Sequence, residues 1–252
     1  QIADDGNFLV RTGLAALAAG RHDFVTAERY ALDGLAINPQ STMLLGVLSD
    51  AQIQLGRYDE GFDTVQQMVD LSPDTSSLAR VAYTHELVGD VDEARAVMQR
   101  ALDAAANPSD QAFALFQLGE LSLGEGDAAT ALGLFNRALA VSPGNVAALS
   151  GKAHALGVSG QTLTSIDTYR QLIEVAPLPD YLIEFGNFLD AHGRTDEAVT
   201  LYDQAREQLA RDAANGVRVD AGIIFFEADH GDAEEAVRMA ESALAERPFF
   251  EI

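Results

Sequence analysis

Cysteine is absent from this chain of 252 residues, which removes disulfides and thiolate metal sites from its chemistry and leaves its redox compartment open. Basic residues are scarce: 16 lysines and arginines stand against 39 acidic residues, the formal net charge is −23, and Lys152 is the one lysine. Duplex binding draws its affinity from cations that neutralise phosphates, so this balance excludes nucleic acid as a partner and works against anionic lipid. It favours a basic or neutral partner, although acidity also serves solubility alone. No apolar run approaches the roughly 20 residues of a membrane span, so direct membrane insertion is not expected. The chain begins at Gln1, with no basic segment leading into an apolar core, and we expect a fragment or processed part of a longer protein. Bacterial cytoplasm and extracytoplasmic space are both compatible with these features.

What is present is a period. Gly-Arg-Tyr-Asp-Glu (56–60), Gly-Asp-Val-Asp-Glu-Ala (89–94), Gly-Arg-Thr-Asp-Glu-Ala (193–198) and Gly-Asp-Ala-Glu-Glu-Ala (231–236) recur at one phase. Each opens an amphipathic run that closes near a proline, at Pro39, Pro73, Pro143, Pro177 or Pro248. Turn positions fall at His22, Gly56, Gly89, Gly126, Gly160, Gly193 and Gly231, separated by 34, 33, 37, 34, 33 and 38 residues. A period of this size denotes stacked helical pairs. Five residues past each marker comes a small residue: Ala27, Gly61, Ala94, Ala131, Ser165, Ala198 and Ala236. Four further on, Val65, Met98, Phe135, Tyr169 and Tyr202 fill the same helical face one turn later. Eleven before the glycine stand Leu45, Leu78, Leu115, Leu149 and Leu182; Ser49, Ala82, Gly119, Ala153 and Gly186 mark close approach between paired helices.

These columns resemble the tetratricopeptide repeat (TPR). The unit that fits best is Leu115, Leu118-Gly119, Gly126, Ala131, Phe135, Ala138 and Pro143, with Leu in place of the usual Trp and Ser122 in place of Tyr. The resemblance implies an all-α fold, an α-solenoid of about seven helix-turn-helix units in a right-handed superhelix, with a concave face made by first helices. The units run 8–39, 42–73, 75–108, 112–143, 146–177, 179–214 and 217–248 of a single solenoid domain. Asn107-Pro108 is expected to end the third unit, and the sixth unit's second helix to run on to a left-handed cap at Asn215-Gly216. The tail Phe249-Phe250-Glu251-Ile252 looks like the start of another repeat, and self-association through the terminal units is one reading of it.

Apparent chemistry dissolves once phased against the repeat. Glu227-Ala-Asp-His-Gly-Asp-Ala-Glu-Glu235 has the composition of a hard metal site, but His230 ends a first helix, Gly231 turns, Asp232 caps the next helix and Glu235 fits a capping-box position. His22 and His192 occupy the same turn region, and His85 falls on a core-facing column. Ser150 and Ser159 lie near His154 without an orienting acid, and Gly124-Glu-Gly126 lacks the strand and the Gly-Lys-Ser/Thr of a phosphate loop. No catalytic residue, metal site or cofactor is expected.

Function is left to the groove. Carried over from the family, its lining is Arg80, Tyr83, Glu86, Phe113, Phe116, Glu120, Ser150, His154, Ile183, Asn187 and Asp190, with ordinary packing between repeats as the competing role for Phe113 and Phe116. Relatives that hold acidic C-terminal peptides use a clamp of Lys, Asn and Arg; here only Asn187 and Arg80 remain, which argues against such a ligand. The resemblance thus implies a non-enzymatic scaffold for a protein or peptide segment. The alternative is a recognition or regulatory arm of a larger enzyme or assembly whose catalytic part is absent from this chain.

Overall fold

The computed structural model describes residues 7–218 and 221–246, and these form helices and turns only. The helices pair in chain order: α1 (Phe8–Ala19) with α2 (Phe24–Ile37), α3 (Thr42–Gln54) with α4 (Tyr58–Leu71), and α5 (Thr75–Leu87) with α6 (Val91–Asp103). There follow α7 (Pro108–Gly124) with α8 (Ala128–Val141), α9 (Val146–Val158) with α10 (Thr162–Val175), α11 (Pro179–Ala191) with α12 (Thr195–Ala214), and α13 (Ala221–His230) with α14 (Ala233–Glu246). Two compact units emerge, one of residues 74–210 and one of 1–73 together with 211–252. In the first, α7 packs on α8 and on its neighbours α6 and α9; in the second, α3 packs on α4, α2 and α1. The terminal tail 249–252 and Pro248 lie outside the described residues.

Three residues suffice for most turns between paired helices because each does two jobs. Gly56, Gly89, Gly126, Gly160 and Gly193 take φ between 73° and 83°, the left-handed conformation that ends a helix. The next residue's N–H then reaches back to the helix it leaves: Asp90 to the His85 carbonyl at 2.8 Å, Asp127 to Ser122 at 2.9 Å, Gln161 to Leu156 at 2.9 Å. Where that residue is Asp, its carboxylate also caps the helix it enters, Asp127 accepting from the Thr130 amide at 3.0 Å and Asp90 from Glu93 at 3.3 Å. Gly216 ends α12 at φ 81°, as the sequence predicts.

Two expectations need correction. Pro108 does not end a repeat but opens α7 as its first residue, capped by Asn107, whose side chain accepts from the Asp110 amide at 3.0 Å. Proline suits that position because the amide it lacks would be unpaired there, so the extra residues of the third interval lengthen a first helix. At Gly231 the left-handed turn is missing. The Gly231 amide bonds to the Glu227 carbonyl at 3.0 Å, and Glu227 Oε2 accepts from the Asp232 amide at 3.4 Å, the place expected of Glu235. Glu235 instead pairs with Arg238, Nε to Oε2 at 2.9 Å, while Asp232 caps α14 as foreseen, through the Glu234 amide at 2.8 Å.

The packing columns are where the period puts them. Ala27, Ala94, Ala131 and Ala198 are fully buried, as are Phe135 and, at 1 % exposure, Tyr169. Phe135 shows why small residues must face it. A Cβ at Gly151 of α9 would sit 2.5 Å from its ring, and one at Gly119 of α7 would press on it as closely. Gly186 of α11 gives Tyr202 of α12 the same clearance. Buried hydroxyls are absorbed locally: Ser165 Oγ donates to the Ala153 carbonyl at 2.7 Å and Thr64 Oγ1 to Gln52 Oε1 at 2.8 Å.

Candidate functional site

Within the unit 74–210, the first helices α5, α7, α9 and α11 carry the eleven residues the sequence singles out. They separate into three groups. Phe116 belongs to packing: half-buried, it joins the cluster of Ala131, Phe135 and Ala155, its ring 6.0 Å from that of Phe135. Arg80, Asn187 and Asp190 are engaged within their own repeats. Arg80 Nη1 donates to Ser76 Oγ at 2.8 Å, Asn187 Oδ1 accepts from the Tyr202 hydroxyl at 2.9 Å, and Asp190 Oδ1 accepts from Thr195 Oγ1 at 2.7 Å. Burial, reinforced by the Asp190 charge, pushes the Tyr202 hydroxyl up to about 12, so it remains a donor.

The third group faces outward and is acidic with an aromatic edge. Tyr83 and Phe113 are 42 % and 40 % exposed, and Glu86, Glu120 and His154 are exposed beside them in sequence phase. Glu120 of α7 lies over Gly151 of α9, where a Cβ would come within 3.0 Å of its Oε1. Burial raises its carboxyl above the ordinary 4.5; the neighbouring imidazole of His154 lowers it, and the carboxylates of Glu184 and Glu86 raise it further. Burial raises Glu86 as well. Ser150 and Ile183 are half-buried at the margin.

Glu184 is the member the sequence reading misses. Its Oε2 accepts from Ser150 Oγ at 2.7 Å and its Oε1 from the Tyr169 hydroxyl at 2.8 Å, tying α11 to α9 and to α10. Tyr169 is pushed upward by burial and then by this carboxylate, and Tyr181 is raised by burial and by Glu184 and Asp180. A signal existed: Glu184 stands nine residues before Gly193, as Arg80 stands nine before Gly89 (193 − 184 = 89 − 80). Among the described residues, no group of three or more His, Asp or Glu is placed to hold a metal ion. Ser150 has a carboxylate partner and no histidine one, the wrong order for activating a hydroxyl nucleophile.

Helix pairs with small residues at their crossings, joined by left-handed glycine turns, define an α-solenoid. Residues 82–146 match the tetratricopeptide-repeat family. Solved structures share the fold at low identity. A chain of the APC/C hetero-tetramer Cut9-Hcn1 is 13 % identical with a TM-score of 0.67, covering 96 % of this chain and 44 % of its own length. PilW, a type IV pilus biogenesis factor, is 18 % identical with a TM-score of 0.63, over 81 % of this chain and 94 % of its own. PilF of Pseudomonas aeruginosa is 14 % identical with a TM-score of 0.60, over 81 % and 97 %. No curated protein matches the sequence. No helix among the described residues is long and apolar enough to cross a membrane.

Proposed function

We propose that this protein is a non-enzymatic scaffold that binds a peptide or protein segment, basic or neutral, on the face formed by α5, α7, α9 and α11. The tetratricopeptide-repeat fold is in general one of non-catalytic scaffolds with protein or peptide partners. The observation that carries the reading is Glu120 with its surroundings: an outward carboxylate beside Glu86, Glu184 and His154, edged by exposed Tyr83 and Phe113, where repeat packing demands none of these side chains. Carboxylates attract a lysine or arginine, and exposed rings offer it a face and its stem an apolar surface.

Selection of a random displayed peptide library on the wild-type chain tests this. Enriched sequences should be rich in Arg and Lys, and synthetic copies should bind Glu120→Lys at least about tenfold more weakly, ~1.4 kcal/mol. Asp190→Lys should do less, since Asp190 is already held by Thr195. Acidic enriched sequences, or equal binding to Glu120→Lys of unchanged helicity, would overturn the assignment.

A further inference from the structure

The first turn of the chain departs from the others, and a distant segment sits on it. Among the described residues His22 is the one non-glycine residue with positive φ, 57°, where the other left-handed turns use glycine. A side chain there is strained, and strain is retained where surrounding structure over-determines it. Its ring stacks on Phe24, centroids 5.9 Å apart and planes 9° from parallel. On either side of it the turn is engaged by one residue, 197 positions later (218 − 21). The Arg218 amide donates to the Arg21 carbonyl at 3.1 Å, and Arg218 Nη2 lies 3.3 Å from Asp23 Oδ1, the carboxylate that caps α2. Both segments belong to the same compact unit, 1–73 with 211–252.

In a repeat array each unit touches its neighbours, so a contact between the first turn and the start of the last repeat is not something stacking supplies. It closes a very long loop through a main-chain hydrogen bond and an ion pair whose members, 38 % and 24 % exposed, are open to screening. We propose that residues 21–23 form a seat that the Arg218 segment occupies in cis, a clasp that holds the two ends of the chain together and releases them when the ion pair is screened or removed. Asp23 and the Arg21 carbonyl together fit a residue offering both a main-chain N–H and a guanidinium, which is how Arg218 meets them.

The absence of cysteine makes the test clean. Ala16→Cys in α1 and Ser242→Cys in α14, both exposed, accept a pair of spin labels with no competing thiol. At low ionic strength their distance distribution should be single and narrow; at about 1 M salt, where screening acts within about 3 Å, it should broaden and lengthen. Arg218→Glu should give the open distribution without salt, and Asp23→Arg with Arg218→Asp should restore part of the closed one. An unchanged distribution in Arg218→Glu and across the salt titration would overturn the clasp, as would a label distance appearing between singly labelled chains mixed together, which would place the contact between copies. The salt titration needs no substitution at the seat, so it decides even if a variant fails to fold.

Discussion

The paired helices α7 and α8 are buried differently, and the difference locates function. In α7, Ala112, Leu115, Gly119 and Ser122 line one side and Ala114, Leu118 and Leu121 another. Its partner α8 buries one stripe, Ala131, Phe135 and Ala138, spaced four and three apart. α3 and α4 repeat the contrast, with eight buried residues against four. α7 is flanked by its partner α8 and by the neighbouring helices α6 and α9, so only a narrow ridge stays free, which carries Phe113 and Glu120. α8 exposes most of its circumference, where single side chains answer to little but solvent. Residues on the narrow ridge are the ones that packing leaves unexplained.

The contrast is broken most severely at Phe135, the side chain on which α7, α8 and α9 converge. Phe135→Ala should cost about 3–5 kcal/mol in urea unfolding followed by circular dichroism, because it removes a fully buried ring and leaves a cavity between two repeats. Next to it, exposed Asn136→Ala should stay within about 0.5 kcal/mol. Similar losses from the two would mean that α8 is not one-sided. Since repeat stability is a sum over neighbours, the Phe135 variant should also melt with a broader transition.

Two glycines seven residues apart separate packing from backbone. Gly119→Ala drives a methyl into the Phe135 ring and should cost about 1–3 kcal/mol, offset by less than about 1 kcal/mol of helix propensity. Gly126→Ala meets nothing within 4 Å and should cost about 1–2 kcal/mol through its φ of 83° alone. Asparagine tells them apart: Gly126→Asn should recover most of the loss, because Asn tolerates the left-handed region, while Gly119→Asn should be worse than Ala. Thermal melts of the four variants give the comparison.

The same two kinds of position show what a sequence makes legible. Gly126, Ala131 and Phe135 each answer a local demand, a left-handed turn, a close crossing, a filled gap, and the demand recurs every 34 residues or so, which exposes it. Pro108 was readable as a helix boundary but not as to which side, since proline serves both the residue after one helix and the first of the next. Glu227 taking the capping role expected of Glu235 depends on side-chain reach, which spacing does not encode. On the ridge, Tyr83, Phe113, Glu120 and His154 are exposed, whereas Phe116 packs against the core cluster of Phe135. Glu184 stayed hidden because its partners Ser150 and Tyr169 lie on two other helices, and only the fold brings the three together.

The smallest effect is the one that separates a structural role from a binding role. Glu120 reaches solvent, yet flanking helices remove enough water to raise its carboxyl above 4.5, with Glu184 and Glu86 adding to the rise and His154 opposing it. A carboxyl whose folded value lies above its unfolded one binds its proton more tightly in the folded chain, so the ionised form burdens the fold at pH above the folded value. That burden lifts as pH falls through the folded value and is gone below the unfolded one, near 4.5. Glu120→Gln should therefore stabilise the chain at pH 7, by a margin that shrinks on acidification and disappears by about pH 4, measured as the midpoint of urea unfolding at each pH. Binding of a selected basic peptide should move the other way, weakening in the same variant at pH 7. A side chain kept for the fold alone would lose nothing in binding, so stability rising while affinity falls is the signature of a carboxylate held on the ridge for its partner.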